Sequence, residues 1–136
     1  MPMDFTTDLH FLVWAVALCV VQMIAAAAGA TLQVGLPRLA GNREPQPELT
    51  GWAGRATRAH RNMLESLVLF AALVIVAHLA GVANETTVLG AQLFFWARLA
   101  YAIVYLIGIP WLRTGVWAVS MAGLIIILWQ LVQLRV

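Results

Sequence analysis

Arg58, Asn62 and Glu65 stand at positions i, i+4 and i+7. That spacing puts three polar side chains on one stripe of a helix. Arg98, Tyr101 and Tyr105 stand at i, i+3 and i+7 and form a second stripe of the same kind. Guanidinium groups grip carboxylates bidentately, and a carboxylate such as Glu65 receives an ammonium group. If the stripes face each other, they enclose a pocket suited to a small ligand with several charges. The competing reading is a structural bridge between Arg98 and Glu65. It accounts for two residues and leaves Asn62, both tyrosines and the neighbouring arginines unexplained.

The elements that carry these stripes are apolar. The chain has 136 residues, 62% hydrophobic and 10% charged, whereas soluble domains have about 25% charged residues. A chain this short cannot hide so much apolar surface from water. Its apolar runs predict four membrane-spanning helices, over about residues 9–34, 55–80, 88–109 and 115–134. Each reaches the roughly 20 residues that cross a hydrocarbon core of about 30 Å. Gly35 and Pro37 end the first span, and the Pro- and Gly-rich stretch 36–57 reads as a loop, with Gly54 leading into the second helix. Pro110 closes the third span, and Arg113 with Thr114 forms a tight connection to the fourth. Short connections make neighbours antiparallel, so the expected fold is an all-α integral membrane protein. It is a single domain over residues 1–136, an up-down four-transmembrane-helix bundle. A lipid-facing arginine near mid-bilayer costs about 2.5–3.5 kcal/mol. Arg98 and Glu65 are therefore expected to face protein, water or a polar ligand.

All eight basic residues are arginine. They form no basic run with interleaved aromatics, which argues against a nucleic-acid partner. Arg38, Arg43, Arg55, Arg58 and Arg113 fall in the first and third connections. Asp4, Asp8, Glu85 and Arg135 fall at the opposite end. The positive-inside rule then puts the Arg-rich end in the cytoplasm and both termini on the other side. The first span has an acidic leader and is too long for a cleaved signal peptide, so it reads as retained. Cys19 is the only cysteine and reads as a small buried hydrophobe. His78 has no second ligand nearby, so no metal is expected, and its ring should hydrogen-bond within the bundle. Gln22, Gln33, Gln92 and Gln130 are expected to bond between helices. Trp14, Trp52, Trp111, Trp117 and Trp129 read as interface anchors, and Trp96, deeper, as a subunit contact.

Two stretches resemble a known family. RATRAHRNMLE at 55–65 is similar to the second-helix signature of the MAPEG family, the membrane-associated proteins in eicosanoid and glutathione metabolism. RLAYAIVYLIGIPWLR at 98–113 is similar to its third-helix signature and exit. GNRE at 41–44 and GAQLFF at 90–95 resemble the bacterial branch, and the whole is similar to microsomal glutathione transferase. The resemblance implies a homotrimer in a bacterial inner membrane. Glutathione would bind as co-substrate between subunits near the cytoplasmic face, and hydrophobic electrophiles would arrive through the surrounding lipid. By motif position, Arg58, Asn62 and Glu65 would hold the charged ends of glutathione. Arg98, Tyr101 and Tyr105 would line the same cleft, with Arg38 and His60 as lesser contacts. Arg113 matches the arginine beside the glutathione sulfur. Ser66 stands where the leukotriene synthase pattern has a tyrosine, which argues against eicosanoid chemistry.

The work asked of Arg113 is modest. A free thiol has a pKa near 8.5, and lowering it by about two units takes roughly 2.7 kcal/mol. A cation about 4 Å away, at an effective dielectric near 20, supplies roughly 4 kcal/mol. Two alternatives stay open. Arg113 could instead snorkel to headgroup phosphates, and the chain could be a non-catalytic relative that binds a lipid or anionic metabolite or supports a partner complex. A small multidrug transporter needs an acidic residue in its first span, and residues 9–34 hold none.

Overall fold

The computed structural model describes residues 6–45 and 48–134, so Asp4 and Arg135 lie outside the described residues. Among the described residues five helices follow one another: α1 (Thr7–Val34), α2 (Leu36–Ala40), α3 (Gly51–Leu79), α4 (Glu85–Ile107) and α5 (Pro110–Val132). No strand occurs among the described residues. α1, α3, α4 and α5 hold 28, 29, 23 and 23 residues, and all four are long and apolar enough to cross a membrane.

The helix boundaries follow local chemistry. Gly35 takes a positive φ of 90°, a conformation glycine adopts without strain, and this ends α1. Pro37 then starts α2, where its missing N–H costs nothing. The stretch expected as loop therefore contains a short helix, and α3 begins at Gly51 rather than after Gly54. Asn84 caps α4: its side chain accepts from the backbone N–H of Thr86 and Thr87 at 2.9 and 3.0 Å. In return Thr87 Oγ1 accepts from the Asn84 N–H at 2.9 Å, a reciprocal cap.

The exit from α4 differs from the sequence expectation. Gly108 turns left-handed (φ 88°) and caps α4, and Pro110 is the first residue of α5. Proline serves better as a helix start than as a helix end. Arg113 and Thr114 consequently lie in α5 itself, not in a connection. Asp8, expected outside the first span, lies in α1 and is buried.

Four hydrogen bonds fix the antiparallel order. Gln33, at the end of α1, exchanges two bonds with the Thr50 backbone, just before α3. Arg55 Nε, early in α3, donates to the carbonyl of Leu106 at the end of α4, 3.0 Å away. Asn84, before α4, donates to Gln130 late in α5, 3.2 Å away. Gln33 and Gln130 thus tie elements together as expected. Gln22 and Gln92 make no such bond among the described residues, nor does the His78 ring. The main pairings are α4 with α5 and α1 with α3, and α4 also packs on α3 and α1.

α4 and α5 approach closely because small residues face each other. A Cβ added at Gly90 would lie 2.7 Å from both the Gly123 carbonyl oxygen and Ile127 Cγ1. Gly90→Ala should therefore force the pair apart and destabilise the fold by about 1–3 kcal/mol. Thermal unfolding in detergent checks this, and an unchanged Tm would show that the contact is slack.

The core divides the bundle into two halves. The larger cluster includes Ala15 and Cys19 of α1, Met63, Phe70 and Val74 of α3, Phe94 of α4 and Ile127 of α5. Phe70 and Phe94 stack within it at 4.1 Å. Toward the Arg-rich end the buried cluster is instead Ala59, Tyr101 and Tyr105. Much of the outer surface is apolar, with all six tryptophans exposed, Trp96 included.

Candidate functional site

Helical periodicity brings the two stripes together from adjacent antiparallel helices. Arg98 projects from α4 into the bundle and is 1% exposed. Its Nη2 donates to Asn62 Oδ1 on α3 at 2.7 Å, and its guanidinium carbon lies 4.3 Å from the Tyr101 ring centroid. One turn nearer the Arg-rich end, Arg58 Nε of α3 donates to the Tyr105 hydroxyl of α4 at 3.1 Å. The antiparallel register explains the crossing: the earlier residue of the α3 stripe meets the later residue of the α4 stripe. Tyr101 and Tyr105 are themselves neighbours, with ring centroids 5.5 Å apart.

α5 supplies the third side. The Arg113 guanidinium carbon lies 4.7 Å from the Tyr105 centroid, and that of Arg58 lies 6.0 Å from it. One phenol ring thus gathers two cations through its face and its hydroxyl, a contact that stabilises guanidinium groups where water is scarce. Asn62, Tyr101 and Arg113 line a cavity of about 180 Å³ together with Thr114 and Trp117.

The Arg98–Glu65 bridge is not formed. Arg98 donates its hydrogen bond to Asn62, and Glu65 is exposed on the outer side of α3. The Nε and Nη1 atoms of Arg98 are buried with no hydrogen-bond partner among the described residues. A buried cation with open donors is costly unless something anionic or polar meets it.

The remaining expected residues are more scattered. Arg58 is exposed and Arg113 half-buried. His60 is half-buried, and its Nε2 is enclosed without a hydrogen-bond partner among the described residues. Arg38 is exposed on α2 and lines neither the cavity beside Tyr101 nor the larger one next to α1. Within this one chain, then, Arg58, Asn62, Arg98, Tyr101, Tyr105 and Arg113 come together. Glu65 and Arg38 face outward.

Sequence reasoning passed over Thr114 and Trp117 as lining residues. The signal was present: once Pro110 is taken as a helix start, Arg113 and Trp117 stand at i and i+4 on one face of α5.

The arrangement has one chemical character. Three guanidinium groups converge with two phenols and one carboxamide, and no carboxylate pairs with them among the described residues. Such an arrangement is chemically suited to anions, and it lies inside a multi-pass helical membrane protein. A model of the MAPEG family matches residues 11–133, nearly the whole chain, and the chain belongs to that family. No curated protein and no solved structure matches it.

Proposed function

We propose that this chain is a glutathione-dependent membrane transferase or peroxidase that presents glutathione as its thiolate to hydrophobic electrophiles. The observation that carries the proposal is the convergence of Arg58, Arg98 and Arg113 on Tyr101, Tyr105 and Asn62 with no carboxylate partner among the described residues. MAPEG membership supports the same reading. Glutathione has two carboxylates, one ammonium and one thiol. Arg58 and Arg98 are suited to carboxylates, Glu65 to the ammonium, and Arg113 to the sulfur. Arg38 and His60 are lesser contacts. The thiolate sulfur would form a bond to the electrophilic carbon, and the displaced group would leave with the electron pair. No metal enters this chemistry.

Ligand pockets usually span about 300–1,000 Å³, so a cavity of about 180 Å³ holds only part of a tripeptide. We infer that a second copy completes it. The exposed Glu65 fits a trimer with the site between subunits, because a carboxylate facing lipid would carry a penalty. By the positive-inside rule, the end holding Arg38, Arg43, Arg55, Arg58 and Arg113 faces the cytoplasm of a bacterial inner membrane.

Calorimetric titration of the detergent-purified protein with glutathione tests the proposal directly. Wild type should bind, and Arg58→Ala should weaken binding about 10- to 100-fold, the loss expected for a charge-assisted hydrogen bond to a carboxylate. Absence of wild-type binding at millimolar glutathione would remove the catalytic reading and leave a non-catalytic MAPEG protein with another anionic ligand.

A further inference from the structure

A second, larger cavity of about 570 Å³ opens at the Arg-rich end, between α1, α2 and the start of α3. It shares no lining residue with the cavity beside Tyr101. Its α1 side is built of Ala26, Ala27 and Ala30, and Leu36, Leu39 and Leu49 add further apolar surface. Arg43, Arg58 and Arg61 also line it, and no carboxylate does among the described residues.

Arg43 uses Nε to bond the Leu39 carbonyl at 2.6 Å. This bond anchors the side chain on α2 and leaves the outer nitrogens for another acceptor. Arg61 is exposed and makes no hydrogen bond or ion pair among the described residues. Gly54 lets the connecting segment lie tight on α3, since a Cβ there would be 2.5 Å from the Leu49 carbonyl oxygen. The cavity is thus apolar on one side and cationic on another.

Its depth matters. α1 has 28 residues, about 42 Å at a rise of 1.5 Å per residue, against a hydrocarbon core of about 30 Å. The last turns of α1 and the arginines beside them therefore fall at the headgroup layer. Basic pockets between spans at that level recognise anionic headgroups.

We propose that this cavity binds an anionic phospholipid, its phosphate between Arg43 and Arg61 and an acyl chain along the alanine and leucine surface. Arg58 borders this cavity as well as the Tyr105 ring, but Arg43 and Arg61, which would hold the phosphate, take no part in the glutathione reading.

The test titrates detergent-purified protein with phosphatidylglycerol, phosphatidylcholine or inorganic phosphate and counts bound molecules by native mass spectrometry. Phosphatidylglycerol should bind about tenfold tighter than phosphatidylcholine. Arg43→Gln combined with Arg61→Gln should abolish that preference. Ala27→Phe, which fills the apolar side, should weaken binding of phosphatidylglycerol while leaving the arginines in place. Equal binding of the two lipids, or an unchanged preference in the double variant, overturns the proposal. Inorganic phosphate competing as well as phosphatidylglycerol overturns the amphiphile and leaves a simple anion site. Glutathione calorimetry on the double variant separates the two readings. Retained glutathione binding with lost lipid preference in that variant supports this site, and a wild type that prefers phosphatidylglycerol but binds no glutathione leaves the lipid site standing alone.

Discussion

Arg113→Ala is expected to keep glutathione bound while removing its thiolate absorbance at pH 7. The guanidinium carbon of Arg113 sits 4.7 Å from the Tyr105 centroid, and the residue borders the cavity shared with Asn62 and Tyr101. A cation there lowers the pKa of a thiol placed in that cavity. With a fall of about two units from 8.5, roughly three quarters of bound thiol is ionised at pH 7. Without the cation only about 3% is ionised. The rate of attack should drop by a similar factor, about 25-fold, with glutathione affinity changed far less. Arg113→Lys should retain much of the signal because the charge remains. An Arg113→Ala protein with undiminished thiolate absorbance would mean that Arg113 serves headgroups and that another group ionises the thiol.

Arg98→Met should separate binding from stability. Arg98 is 1% exposed, and two of its three nitrogens are buried without partners among the described residues. Methionine fills similar space and removes a poorly satisfied buried charge, a change that is often neutral or stabilising. The cost is the orphaned Asn62 oxygen, about 1–3 kcal/mol. The unfolding midpoint should therefore stay near wild type. Glutathione affinity should fall about 10- to 100-fold if Arg98 meets a carboxylate. A much lower Tm with unchanged affinity in the folded fraction would make Arg98 a structural residue only.

Much of this protein was legible in its sequence. Four apolar runs of about 20 or more residues leave few solutions, because backbone polar groups in lipid must bond within their own helix. The i, i+4, i+7 and i, i+3, i+7 spacings likewise fixed which residues share a stripe, since helical geometry is local. The arginine-bearing motifs pointed to the family whose model matches the chain.

Other features depended on packing between helices. No spacing rule says that Arg98 meets Asn62 rather than Glu65, because that choice rests on the rotation of α3 against α4. The Gly108–Pro110 exit was ambiguous for a related reason. A proline between two apolar runs can follow one helix or open the next; its preference for the first helical position and the left-handed Gly108 decide in favour of the start. That single turn carries Arg113 into α5 and onto the Tyr105 ring. Local rules determined the helices and their polar faces, while the rotation and register of one helix against another decided which charges meet. Those are non-local quantities, set by close contacts such as Gly90 on Gly123, and no stretch of sequence contains them by itself.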